Sequence, residues 1–317
     1  MMRPTIVVLI GFIGAGAAIN AVAYMQARAM THFSVNGPRT ANPETLGWLE
    51  VATVIFTGVN IPRPQDGSTP ADLGLLYESH RFPSTHGPIL DAWYVPGKTE
   101  QPLVLIFHGY AASKSQLLRS ARALHDLGFG TLLVDFYGSG GSSGTGTSLG
   151  VLEARDVAAT MSYARDTWPD RKLVLYGFSM GAAAILRAVA VEKARPNGLI
   201  IEAPFDNLLN TVTSRFHAMG LPGAPFAQIL LFWGGLQWGF NPFSHNPVDY
   251  ARAVTCPVLI LHGARDIRVS DEQARAIKGV MGERARLVIF PDVPHMPIVE
   301  APPADWAHEV QEFLGHI

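Results

Sequence analysis

Ser179 is the residue of this chain best placed by its neighbours to act as a nucleophile. It lies in the pattern Gly177-Phe178-Ser179-Met180-Gly181, between an apolar run, Leu173 to Tyr176, and a helical pattern that starts at Ala182. A tight strand-to-helix turn lets a serine hydroxyl project from a sheet, and the helix N-terminus favours developing negative charge. The five-residue pattern alone also fits a glycine-flanked helix cap. Its position between a strand and a helix favours a nucleophilic serine.

The elements that must hold this serine alternate along the chain. Short apolar runs typical of strands buried on both faces occur at Leu103–Phe107, Thr131–Val134, Leu173–Tyr176, Leu199–Ile201, Val258–Leu261 and Leu287–Phe290. Stretches with helical spacing lie between them, at Ser115–Leu127, Val151–Thr167 and Met180–Lys193. The pattern predicts an α/β fold with a mostly parallel central sheet flanked by helices. An antiparallel hairpin that turns at His86-Gly87-Pro88 is expected to precede it.

The longest interruption of this alternation runs from about residue 205 to residue 253. It is rich in Gly, Pro, Phe and Trp. Because structureless loops of such length are uncommon, we expect a small helical cap over the site. A helical hairpin that only stabilises the edge of the sheet remains an alternative.

The order of the motifs resembles the α/β-hydrolase superfamily, in which nucleophile, acid and histidine follow one another along the chain. The loop that starts at His262 and contains Asp266 looks like the acid loop of that family. The loop Pro291-Asp292-Val293-Pro294-His295-Met296 is similar to its histidine loop. The resemblance covers residues 74–317 and implies that Asp266 orients His295, which removes the proton from the Ser179 hydroxyl.

The same resemblance implies an oxyanion hole made of two backbone N–H groups. One belongs to Met180, directly after the nucleophile. The other belongs to Tyr110, because Phe107-His108-Gly109-Tyr110 resembles the histidine-glycine motif of the family.

Two other acidic residues compete for the role of the triad acid. Asp206 follows the strand before the cap, from which some family members take their acid, but Asp206-Asn207 is more simply a helix N-cap. Asp292 lies near His295 in sequence only and is interpreted as a loop residue.

The glycine-rich loop at residues 135–144 lacks the Gly-Lys-Ser/Thr ending of a phosphate-binding loop. It instead looks like the aspartate-x-x-glycine loop of the superfamily.

The N-terminal segment, residues 1–29, contains an uncharged apolar run from Thr5 to Met25. Its length predicts a transmembrane anchor, and Ala21-Val22-Ala23 leaves a cleavable signal segment and export as the alternative. Residues 30–73 are interpreted as a linker with some helix, and residues 74–317 as the hydrolase domain, with the cap at about 205–253.

Composition narrows the class of protein. The 317 residues carry a formal net charge of -2 with no basic block, so nucleic acid is not an expected partner. The single cysteine, Cys256, permits no internal disulfide. The sequence carries no familiar metal-binding motif, and we expect neither a metal nor a cofactor.

The resemblance implies a serine hydrolase that cleaves a carboxylic ester or thioester through an acyl-serine intermediate. The expected substrate is a small-molecule or lipid-like ester. A serine peptidase of the prolyl-oligopeptidase type and a non-catalytic hydrolase-like scaffold remain alternatives. The sequence leaves the oligomeric state open.

Overall fold

The computed structural model describes residues 4–42, 45–301 and 305–317, with side chains from residue 12 onward. In these ranges eight strands form one sheet, in the order β1-β2-β4-β3-β5-β6-β7-β8. The strands are β1 (Glu78–Pro83), β2 (Ile89–Val95), β3 (Leu103–Phe107), β4 (Gly130–Val134), β5 (Leu173–Phe178), β6 (Gly198–Glu202), β7 (Val258–Gly263) and β8 (Ala285–Phe290). β1 and β2 form the antiparallel hairpin, and β3 to β8 run parallel. The predicted fold class is confirmed.

The five central parallel strands, β3 to β7, are apolar because both faces of the sheet are covered. Every residue of these strands is buried. Such strands lose the alternation of apolar and polar residues that marks a half-exposed strand. This is why the sequence shows them as nearly continuous apolar runs.

The helices cover both faces of the sheet or form the N-terminal segment and the cap. They are α1 (Pro4–Thr31), α2 (Trp48–Thr57), α3 (Leu118–Asp126), α4 (Glu153–Thr167), α5 (Met180–Ala190), α6 (Leu208–Ala218), α7 (Phe226–Trp238), α8 (Pro247–Tyr250), α9 (Asp271–Met281) and α10 (Trp306–Gly315). Short 3-10 turns lie at Pro70–Leu73, Lys114–Leu117, Pro242–Ser244, Ala251–Ala253, Gly282–Arg284 and Ile298–Glu300. The apolar faces of α4, α5 and α9 share one core with the sheet. Those of α3 and α10 share the other.

The region at 205–253 contains α6, α7 and α8, so the expected helices are present. Helix α7 packs against the C-terminal half of α1. The Trp233 Nε1–H donates to Asn20 Oδ1 at 3.1 Å, and the Gln237 amide donates to the Tyr24 carbonyl at 2.9 Å. The boundaries at 29, 73, 205 and 253 stay predictions.

The prediction of a membrane anchor in residues 1–29, and with it a membrane partner, is wrong. Throughout the part of the chain that the structure describes, we find no helix long and apolar enough to span a bilayer. The described part of α1 instead makes polar contacts with the protein: Asn20 accepts from Trp233, and Gln26 donates to the carbonyls of Val54 and Ile55. The alternative cleavage site, Ala21-Val22-Ala23, lies inside continuous α1. Residues 1–3 of this segment lie outside the described residues.

Candidate active site

Ser179 occupies a strained turn between β5 and α5. Its φ is 51° and its ψ is -110°, a combination that costs a non-glycine residue free energy and persists only where surrounding contacts hold it. The Ser179 N–H donates to the carbonyl of Glu202 at 2.8 Å, and the Ser179 carbonyl accepts from Ala183 N–H at 3.2 Å. These backbone bonds hold the turn between strand β6 and the first turn of α5.

The two glycines that flank Ser179 are required by close backbone contact. A Cβ at Gly181 would lie 2.3 Å from the Phe107 carbonyl oxygen, and a Cβ at Gly177 would lie 2.6 Å from the Gly181 carbonyl carbon. Both distances are far inside van der Waals contact, and in each case the obstacle is backbone that cannot rotate away. The spacing Gly-x-Ser-x-Gly therefore has a direct steric cause.

Asp266 and His295 come together although 29 positions separate them in the sequence. Asp266 follows β7 and His295 follows β8, two neighbouring parallel strands whose carboxyl ends share one edge of the sheet. His295 Nδ1 lies 2.6 Å from Asp266 Oδ2. Asp266 is only 7% exposed.

The surroundings of Asp266 favour its ionised form. Burial opposes ionisation, but the hydrogen bond and charge of His295 and the N–H groups of Val269 and Arg268 outweigh burial and lower the pKa of Asp266 below 3.8. Both N–H groups donate to Asp266 Oδ1 at 2.9 Å. The carboxylate is thus held on one oxygen by backbone, while the other oxygen faces the imidazole.

The imidazole of His295 lies next to the nucleophile turn. Its ring contacts that of Phe178, the residue before Ser179, with ring centroids 5.1 Å apart. Strand β5 ends at the same edge as β7 and β8, because all three run parallel. The structure therefore gathers the three residues expected to form a triad at one edge, although their catalytic roles stay a prediction.

The two residues expected to supply oxyanion donors follow the carboxyl ends of neighbouring parallel strands. Met180 is the first residue of α5, and Tyr110 follows β3, the parallel neighbour of β5. The loop of Tyr110 is held on both sides: His108 Nε2 accepts from Phe136 N–H at 3.1 Å, and Gly109 N–H donates to Gln116 Oε1 at 2.9 Å. Such a fixed loop is what a preorganised N–H donor needs.

A buried ion cluster supports the far end of this loop. The Lys114 ammonium lies 2.6 Å from Asp66, 2.8 Å from Asp91 and 2.5 Å from Asp135, and the Lys114 side chain is 1% exposed. The Lys114 N–H also donates to Asp135 Oδ1 at 2.7 Å. Asp135, the first residue of the glycine-rich loop, thus forms an ion pair with Lys114 and accepts a hydrogen bond from its backbone N–H. Its role in the fold is structural.

The competing acids take other positions. Asn207 is the N-cap of α6, with its side chain accepting from Asn210 N–H at 2.7 Å, and Asp206 accepts from the Asn207 N–H at 2.6 Å. The N-cap interpretation is confirmed, with Asn207 as the capping residue. Asp292 pairs with Arg265 at 2.5 Å on the surface.

The sequence interpretation missed Glu202, a buried carboxyl group behind the nucleophile turn. Its Oε1 accepts from Trp306 Nε1–H at 2.7 Å, and its Oε2 accepts from Ile298 N–H at 3.4 Å, in the segment that follows His295. Burial raises the pKa of Glu202 to about 7, against the lowering effect of hydrogen bonds from Trp306, Tyr176 and Ile298. The signal was available: an acidic residue that ends an otherwise apolar strand.

A metal centre finds no support in the described part of the chain. Over residues 4–42, 45–301 and 305–317, no group of three or more His, Cys, Asp or Glu side chains could hold an ion.

Several known proteins are similar to this chain. The family model described as serine aminopeptidase, S33, matches residues 98–230. An uncharacterized protein of Mycobacterium tuberculosis is 28% identical over 256 residues, which are 79% of this chain and 82% of that protein. Lysophosphatidylserine lipase ABHD12 of Rattus norvegicus is 25% identical over 186 residues, 55% of this chain and 44% of the lipase. This chain therefore matches less than half the length of that lipase.

Among solved structures, the Pyrococcus furiosus esterase Pf2001 superposes with a TM-score of 0.68 at 24% identity, covering 81% of this chain and 97% of the esterase. The sheet order, the strained serine turn and these similarities agree. This chain therefore has the α/β-hydrolase fold.

Proposed function

We propose that this chain is a serine hydrolase that cleaves carboxylic esters through an acyl-serine intermediate. The observation that carries the proposal is the Asp266–His295 pair, 2.6 Å apart, at the sheet edge where Ser179 occupies its strained turn. A buried carboxylate on an imidazole nitrogen selects the tautomer whose other nitrogen can accept a proton. Such a pair beside a serine hydroxyl is the arrangement that activates the hydroxyl as a nucleophile.

In the first half of the reaction, Ser179 Oγ attacks the acyl carbon and His295 Nε2 takes the hydroxyl proton. The negative charge on the carbonyl oxygen faces the N–H groups of Tyr110 and Met180, each of which contributes about 10²–10³ in rate in comparable sites. The tetrahedral intermediate collapses, and His295 donates its proton to the leaving alcohol. Asp266 stays ionised and stabilises the imidazolium.

In the second half, His295 removes a proton from water as the water attacks the acyl-serine. The second tetrahedral intermediate expels Ser179 Oγ, which takes back the proton from His295. The products are a carboxylic acid and the free enzyme.

Two kinds of relative support an ester substrate. A lysophosphatidylserine lipase and an esterase are among the proteins that resemble this chain. The cap is apolar where it packs against α1, with Leu208, Leu230 and Leu231 buried there. Together they favour an ester with an aliphatic part over a strongly polar substrate.

A serine peptidase is the second candidate. The description of the matching family, serine aminopeptidase, favours it, because amide and ester hydrolysis use the same groups. A non-catalytic scaffold is the third alternative.

The test uses the full chain and compares the unchanged protein with Ser179→Ala and with Ser68→Ala. Ser68 is an exposed serine and serves as the matched control. We expect the unchanged protein and Ser68→Ala to hydrolyse p-nitrophenyl acetate, butyrate and octanoate, and to be labelled by a fluorophosphonate probe, while Ser179→Ala fails in both assays. Faster turnover of aminoacyl p-nitroanilides than of the esters would favour the peptidase. Absence of turnover and of labelling in the unchanged protein would refute the proposal and favour the scaffold.

A further inference from the structure

Four residues between positions 30 and 66, ahead of the sheet, contact the loop that carries Tyr110. The Met30 carbonyl accepts a hydrogen bond from the Tyr110 hydroxyl at 2.5 Å. The guanidinium of Arg39 donates from Nη1 to the Ala111 carbonyl at 2.8 Å. Two further contacts along the same loop join Gln65 to Ser113 and Asp66 to Lys114. A part of the chain that the sequence suggests to be a linker therefore holds the loop at residues 110–114.

Ala111 is the loop residue that most needs such support. Its φ is 51°, in the left-handed region, where a residue with a Cβ is less stable than at negative φ. Backbone of this kind persists only where surrounding contacts hold it. The Ala111 side chain is 4% exposed and packs with Phe33 and Ile61, while Arg39 fixes the Ala111 carbonyl. All three partners come from the chain ahead of the sheet.

The same loop lies against the nucleophile turn. A Cβ added to Gly109 would lie 3.0 Å from the ring of Phe178, the residue before Ser179. Among the described residues, the Tyr110 N–H finds no hydrogen-bond acceptor, as expected of a group that donates to a substrate oxygen. A displacement of Tyr110 would therefore act where the carbonyl oxygen of the substrate is expected to lie.

We propose that Arg39 is a positioning residue of the active site. Its bond to the Ala111 carbonyl keeps Ala111 at positive φ, and this keeps the Tyr110 N–H directed at the oxyanion. The inference rests on the proposed function, because it needs a reaction in which an oxyanion forms. Arg39 acts through the loop and not on the substrate. Its loss lets Ala111 relax toward negative φ, which rotates the peptide between Tyr110 and Ala111 and displaces the donor.

The test compares Arg39→Ala and Arg39→Lys with the unchanged protein. Lysine keeps a positively charged donor on a long side chain, whereas alanine removes the donor. Arg165→Ala is the matched control, because Arg165 is also an exposed arginine whose guanidinium donates to a backbone carbonyl, that of Arg195. Arg195 lies beyond the C-terminal end of α5, whereas Ser179 precedes its N-terminus. Circular dichroism checks that each variant folds.

The measurement is kcat and KM for p-nitrophenyl butyrate. We expect Arg39→Ala to lower kcat by about tenfold to 100-fold and to leave KM within about twofold, because the oxyanion forms only in the transition state. Removing an oxyanion donor altogether costs about 10²–10³ in rate, whereas here the donor is displaced. Arg39→Lys should recover most of the lost kcat, and Arg165→Ala should match the unchanged protein.

A second pair of variants tests the backbone strain directly. Glycine adopts positive φ without steric cost, so Ala111→Gly reduces the need for support from Arg39. In the Ala111→Gly background, Arg39→Ala should lower kcat by less than about threefold. A general structural defect caused by Arg39→Ala would instead lower kcat equally in both backgrounds.

Three outcomes would overturn the inference while the proposed function stands, in a protein that hydrolyses esters through Ser179. In one, Arg39→Ala and Arg165→Ala have equal kcat. In another, Arg39→Ala raises KM and leaves kcat unchanged. In the third, Ala111→Gly does not reduce the effect of Arg39→Ala. If the unchanged protein neither hydrolyses esters nor reacts with the fluorophosphonate probe, the proposed function fails first and the inference fails with it.

Discussion

Glu202→Gln should make the protein more stable at neutral and alkaline pH. Glu202 is fully buried between β5, β6 and α10, and its neighbours at hydrogen-bond distance are an indole N–H, a phenol and a backbone N–H. No cation is among these hydrogen-bond partners. Glutamine has nearly the same shape and keeps a carbonyl oxygen for the Trp306 N–H, but it cannot ionise.

The sign and size of the effect follow from proton linkage. The pKa of Glu202 rises from 4.5 to about 7 on folding, because burial disfavours the carboxylate. The folded protein thus holds this proton more tightly than the unfolded chain does. Below pH 4.5 Glu202 is protonated in the folded and the unfolded state, and its burial costs no stability. The free energy of unfolding falls as the pH rises from there, and the loss is complete above the pKa of the folded state. At about 1.4 kcal/mol per pH unit, the loss is roughly 3 kcal/mol.

The assay is urea unfolding followed by circular dichroism at about pH 5 and about pH 8. Other groups also titrate over this range. Their contributions to the free energy of unfolding are the same in the unchanged protein and in the variant, so they cancel when the two pH dependences are subtracted. On going from the lower to the higher pH, the unchanged protein should lose about 2–3 kcal/mol more of its free energy of unfolding than Glu202→Gln loses. Glu272→Gln, at an exposed position in α9, is the control and should follow the unchanged protein. Equal pH dependence in the unchanged protein and Glu202→Gln would refute the reasoning.

Two further predictions concern the site and its support. Asp266→Asn should lower kcat for ester hydrolysis by about 10⁴-fold with little change in fold, because the amide can hold His295 in the wrong tautomer. Steady-state kinetics measures kcat. Activity within tenfold of the unchanged protein would contradict the assignment of Asp266 as the triad acid. Lys114→Met should cost about 3–5 kcal/mol in the free energy of unfolding, since it leaves Asp135 and its partner carboxylates without their cation. Urea unfolding measures this cost against Lys98→Met, an exposed control, and equal stability of the two variants would contradict it.

Much of the fold could be predicted because the central strands are buried on both faces. An uninterrupted apolar run such as Leu103–Phe107 has few other places in a protein of this size. The turn residues His86-Gly87-Pro88 also predicted the hairpin between β1 and β2, because a turn depends on residues that are neighbours in the sequence. The expected helices between the parallel strands were also confirmed, with boundaries that moved by a few residues.

The predictions failed where a local pattern has more than one tertiary use. An apolar, uncharged run at the N-terminus suits a membrane helix, yet the helix that contains it also packs against α7 through Asn20 and Tyr24. The choice depends on partners such as Trp233 and Ile55, which lie far away in sequence. The buried position of Glu202 could not be predicted for the same reason, since its indole partner, Trp306, is 104 positions further along the chain.

The sequence by itself determined the alternation of strands and helices, the turn around Ser179 and the order in which the site residues occur. These depend on short-range sterics and on burial periodicity, which neighbouring residues encode. Only the tertiary structure decided that Asp266 lies 2.6 Å from His295, that a carboxyl group is buried behind the nucleophile turn, and that Arg39 bonds to the loop of Tyr110. The physical reason is that such contacts join residues distant along the chain, so the packing of the whole molecule selects among partners that the local sequence leaves equivalent.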